Sequence, residues 1–172
     1  MVELPTLLAG VSVTVVLLAC SAFFSSSEIA VFSLPDEWIA ERADAGDPRA
    51  AVLESLRGDP HRLLVTILVG NNVVNVAVSS VVTLLLTSSL PGGIAVAVAT
   101  VLVSTVVLVF GEIVPKAYGL GNRETWGLRV AGPIRLVERA LSPLVTAFDV
   151  VTRSIAEAIG GSRDIERLVA EK

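Results

Sequence analysis

The sequence has little of what soluble chemistry usually requires. In 172 residues there is one cysteine, Cys20, and one histidine, His61, and charged side chains make up only 17%. A lone cysteine cannot pair within the chain, which excludes a disulfide scaffold and says nothing of redox compartment. A single histidine at the edge of an apolar run leaves an intramembrane serine without a usable base. The composition likewise argues against a soluble enzyme and a nucleic-acid partner, so neither is expected. Charge is also missing locally: residues 4–27 and 63–111 contain no Asp, Glu, Lys or Arg.

Apolar residues fill the space, at 53% hydrophobic overall with a mean hydropathy of +0.76. A bilayer core is crossed by about 20 apolar residues, and the second uncharged run is long enough to cross twice. The composition is that of a multi-pass integral membrane protein. Outside 36–62 and 113–172 the only charged residues are Glu3, Glu28 and Glu112, and all 13 Lys and Arg lie inside those two segments. The positive-inside rule places both segments in the cytoplasm of a cell-membrane protein, with the N-terminus outside and the C-terminus inside. The uncharged turn Ser88-Ser89-Leu90-Pro91-Gly92-Gly93 then falls outside. Glu3 in place of a basic start, and the length of the first apolar run, argue against a cleaved signal peptide.

The expected fold is all-α, with three transmembrane helices at about 5–30, 62–88 and 93–112. Amphipathic juxtamembrane helices are expected at 36–58 and 123–159 on the cytoplasmic side of the lipid bilayer. Asp59-Pro60 marks the start of span two, and Gly46 followed by Asp47-Pro48 divides 36–58 in two. Pro133 and Pro143 should interrupt the second amphipathic stretch. Residues 1–160 form the transmembrane domain, and 161–172 read as the start of a cytoplasmic linker. Three spans enclose a transport path poorly, so a homodimer is expected, helped by the small residues Ser79, Ser80 and Thr83.

One polar cluster stands out in each span: Phe23-Phe24-Ser25-Ser26-Ser27-Glu28, then Gly70-Asn71-Asn72 with Asn75, then Gly111-Glu112-Ile113-Val114-Pro115-Lys116. Pro115 lacks the N–H that would bond the carbonyl four residues back, which is that of Gly111. Span three is therefore expected to break there, beside the Glu112 carboxylate. Carbonyl, carboxylate, amide and hydroxyl oxygens favour a hard cation such as Mg²⁺, Ca²⁺ or Na⁺. Plainer readings stand beside this one. The serines can bond their own i−4 carbonyls, and the asparagines can join helices. Glu112 can pair with Lys116 at i+4, and Glu28 can reach water.

These motifs, from Phe24-Ser25 through Gly70-Asn71 to Gly111-Glu112-Ile113-Val114-Pro115-Lys116, resemble the membrane domain of the cyclin M / CorC (CorB) magnesium transporter family. The likeness implies Mg²⁺ export or Na⁺-coupled Mg²⁺ transport by a homodimer. It further implies a nearly dehydrated Mg²⁺ held by Ser25, Asn71, the Gly111 carbonyl and Glu112, with Ser26 or Ser27 as alternatives to Ser25. A membrane-embedded Mg²⁺-sensing module without transport of its own is the second reading. Family members usually continue into a CBS-pair domain, which is expected in a full-length protein. This sequence reaches Lys172 without one, as an excised domain or a short member would, and implies no nucleotide regulation by itself.

Overall fold

The computed structural model describes residues 4–158, all of them helical or in short turns and none in a strand. After Gly10 nothing in the first apolar run disrupts a helix, and α1 extends over Leu4–Phe32. Helices α2 (Asp36–Asp44) and α3 (Pro48–Arg57) follow, then α4 (Pro60–Thr87) and α5 (Gly92–Val106). A π-helical turn over Val107–Ile113 carries α5 directly into α6 (Val114–Gly121). The chain continues as α7 (Arg123–Ala140) and α8 (Ser142–Ala158). The expected tail at 161–172 lies outside the described residues.

Among the described residues three helices are long and apolar enough to cross a membrane: Leu4–Phe32, Pro60–Thr87 and the continuous Gly92–Gly121. At 28 to 30 residues each reaches about 42–45 Å, beyond a hydrocarbon core of about 30 Å, so the ends protrude to headgroup level. Leu8, Val15, Val16, Val76, Leu84 and Val101 are exposed on these helices, as lipid-facing residues are.

Local sequence explains the helix starts. Asp47 accepts from the Arg49 N–H at 2.9 Å and Asp59 from the Arg62 N–H at 3.0 Å, each followed by proline at the first helical position. Outside the spans, the Arg49 N–H also holds the Asp47 carboxyl below its ordinary value. Gly46 takes a φ of +89°, a conformation that a side chain resists.

The main core sits where α2, α3 and α7 meet the ends of α1 and α4, around Val31, Leu34, Ile39, Leu53, Leu63 and Ile134. Polar ties fasten this belt. Arg62 donates to Glu138 at 2.7 Å and to Ser142 at 3.1 Å, and Arg57 pairs with Asp36. Between the spans a smaller cluster of Val78, Val103 and Val107 packs on Leu17 and Leu18.

One proline expectation changes and the other stands. Pro133 lies inside α7 without breaking it. Gly132, Pro133 and Arg129 are all exposed, so the carbonyl that loses its partner is on the outer side of the helix. The stretch is interrupted at Leu141, between α7 and α8, and Pro143 falls in the first turn of α8, where a missing N–H costs nothing.

Candidate functional site

Span three does not break at Pro115; it changes pitch instead. The Val114 N–H bonds the carbonyl of Val109, five residues back. The next residue is Pro115, which has no N–H to give. An α bond to Gly111 and a π bond to Phe110 would both have come from that missing donor. Both carbonyls lose the donor that Pro115 would have supplied, while the helix stays continuous. Gly111 is buried at this point.

The absence of a side chain on Gly111 lets α1 come close. A Cβ there would lie 2.8 Å from Ser21 Oγ. Ser21 is fully buried, and its hydroxyl lies 3.1 Å from Asn71 Oδ1 and 2.8 Å from Asn75 Oδ1. The clusters of spans two and three therefore meet through a serine of span one. Gly70 serves a similar purpose, because a Cβ there would lie 2.5 Å from the ring of Phe24. Two of the candidate residues, Asn71 and Gly111, are brought together in this way.

The serine run is divided by the structure. Ser26 donates to the Phe23 carbonyl and accepts from the Trp126 indole N–H at 3.0 Å. Its oxygen is already engaged with α7. Ser25 and Ser27 are fully buried, and their hydroxyls have no hydrogen-bond partner among the described residues. Ser25 is one turn from Ser21, hence on the same face of α1, whereas Ser27 is turned well away from that face. An unpartnered buried hydroxyl is costly, which makes Ser25 an available donor oxygen beside the cluster.

The acidic residues also separate. Lys116 does not pair with Glu112; it reaches across to Glu28 at 3.3 Å. Half-buried Glu112 has no ion pair or hydrogen bond among the described residues. It lines an open groove of about 330 Å³ together with Asn75, Ser79 and Ser104. Asn72, by contrast, is exposed on the outer face of α4. Among the described residues no three His, Cys, Asp or Glu gather. A cation at this place would be held by one carboxylate and several neutral oxygens.

Sequence reasoning passed over Ser21 and Ser104. The available signal for Ser21 was its place four residues before Ser25, on the same helical face.

Residues 12–172 match the family model described as the cyclin M transmembrane N-terminal domain. The chain is 31% identical to a UPF0053 protein of Haemophilus influenzae over 157 residues, 91% of this chain and 37% of that protein. It is 32% identical to the UPF0053 inner membrane protein YfjD of Escherichia coli, over 84% of this chain and 34% of that one. A chloroplastic DUF21 domain-containing protein of Arabidopsis thaliana is 31% identical over 91% of this chain and 24% of its own length. The chain thus spans about a third or less of the length of these relatives. With three apolar spans, a helical belt and a match over nearly its whole length, the chain belongs to the cyclin M transmembrane N-terminal domain family.

Proposed function

We propose that this domain carries Mg²⁺ across the membrane, outward from the cytoplasm, in exchange for Na⁺. The observation that supports the reading is that Ser21 of span one meets both Asn71 of span two and Gly111 of span three, next to Glu112, which has no ion pair among the described residues. Asn71, the Gly111 carbonyl and the unpartnered Ser25 hydroxyl supply neutral oxygens, and Glu112 supplies the charge. Mg²⁺ requires short, near-octahedral oxygen contacts and gives up water reluctantly, so a dehydrated ion needs ligands fixed on rigid helices. Glu112 has no counter-charge paired with it among the described residues, and a bound cation supplies one. Release leaves that carboxylate unpaired, a situation that a sodium ion or proton relieves.

The assembly belongs to the same proposal. The groove beside Glu112 is open, and α4 exposes Asn72, Ser79 and Ser80 on its surface. Polar surface facing lipid is unfavourable, and a second copy of the chain would cover it. The distribution of Lys and Arg supports an outside N-terminus and a cytoplasmic belt.

Melting of the purified domain with and without Mg²⁺ tests the site. An ion at 100 times its Kd stabilises by about 2.7 kcal/mol. Glu112→Gln and Asn71→Ala should each abolish that shift and leave the fold intact. A Glu112→Gln variant that responds to Mg²⁺ as the wild type does would place the ion elsewhere.

A further inference from the structure

Ser21 lies against two amide oxygens at once, and its chemistry does not permit both contacts as hydrogen bonds. A hydroxyl carries one proton, so it can donate to one oxygen only. The two distances differ in a useful way. The contact to Asn75 Oδ1 is 2.8 Å, the ordinary length of an O–H···O bond, while the contact to Asn71 Oδ1 is 3.1 Å, within the longer N–H···O range. Exchanging Oδ1 and Nδ2 of an asparagine leaves its shape unchanged, and the assignment rests on the hydrogen-bond network.

We propose that Ser21 is a positioning residue that fixes the Asn71 amide with Nδ2 toward Ser21 and Oδ1 away from it. The Asn71 Nδ2–H donates to Ser21 Oγ, and the Ser21 hydroxyl donates onward to Asn75 Oδ1. Every contact in this chain then has one donor and one acceptor. With Ser21 fully buried, no water competes for the arrangement. Gly111 permits it, since a Cβ there would press on Ser21 Oγ at 2.8 Å. The consequence for transport rests on the function proposed above: the Asn71 oxygen is kept free of protein donors and available to a cation, without Ser21 itself touching the ion.

The test reads the amide and the ion separately. In ion-free protein with ¹⁵N-labelled asparagine, hydrogen exchange at the Asn71 side-chain N–H should be slow, and fast in Ser21→Ala. Mg²⁺ affinity of Ser21→Ala should fall about tenfold, in the range seen for residues that orient a metal ligand. The same substitution should have little effect in an Asn71→Asp background, where a carboxylate presents an oxygen in either orientation. Exchange unaffected by Ser21→Ala would overturn the orientation. Equal loss of affinity in both backgrounds would also overturn it, because Ser21 would then act on the ion directly. Loss of protection in Ser21→Ala, with no Mg²⁺ binding by the wild type, would refute the ion site and leave the orientation standing.

Discussion

Glycine positions in this protein are contacts, and their substitutions should be ranked by what a side chain would strike. At Gly119 a Cβ would run into the backbone carbonyl oxygen of Ser26, which cannot move without moving α1. At Gly70 it would meet the Phe24 ring, a side chain with some freedom to tilt. Overpacking of this kind costs roughly 1–3 kcal/mol. Melting should therefore show a larger loss for Gly119→Ala than for Gly70→Ala; the reverse order would contradict the packing. Ser26 invites a different experiment. Trp126→Phe removes the indole N–H from Ser26, at a cost of about 1 kcal/mol, and Mg²⁺ affinity should not change. A marked loss of affinity would return Ser26 to the list of possible ligands. The residues legible from sequence were those whose polarity stood out against hydrocarbon, Asn71 and Glu112 above all. Ser21 was not legible for a physical reason. Ser12, Thr14, Ser80 and Thr100 each bond the carbonyl four residues back, which is the usual fate of a hydroxyl in an apolar helix. Apart from its place one turn before Ser25, nothing local distinguishes a serine that instead reaches across to another span.

Helix starts were legible at the scale of elements because their causes are local. Asp-Pro at 47–48 and 59–60 supplies an acceptor for the free N–H groups and a residue that needs no partner of its own. The consequence of a proline was only half legible. Sequence showed that Pro115 removes a donor, yet whether a helix breaks, kinks or shifts pitch depends on what packs around it. Here α1 lies along both sides of the proline, through Ser21 at Gly111 and Ser26 at Gly119, and the third span stays continuous by taking a π turn. Pro115→Ala restores the N–H and should draw the Gly111 carbonyl back into an α bond. The expected result is a melting temperature in ion-free buffer at or above that of the wild type, with a smaller Mg²⁺-induced rise. An unchanged rise would show that the carbonyl takes no part in binding. At the start of α4, Asp59→Ala removes a helix cap and should lower stability by about 1 kcal/mol.

For the whole molecule, hydropathy alone determined the number of spans, since few other solutions accommodate two long uncharged runs in a chain of this length. The packing between spans was not legible, because contacts among apolar helices are set by shape, and glycine positions reveal their partners only in three dimensions. A dimer should appear as a doubled protein mass in mild detergent and in lipid; a monomer in both would leave the polar face of α4 unexplained. Among divalent ions, Mg²⁺ and Mn²⁺ should stabilise the protein more than Ca²⁺, whose larger radius suits more ligands at greater distance. Flux tests most directly whether the oxygens near Glu112 form a path for an ion. Purified protein in liposomes, with Mg²⁺ on one side and an Mg²⁺ indicator on the other, should show transport by the wild type and none by Glu112→Gln. Mg²⁺-dependent stabilisation without flux would make the domain a sensor, and equal flux through Glu112→Gln would contradict the site itself.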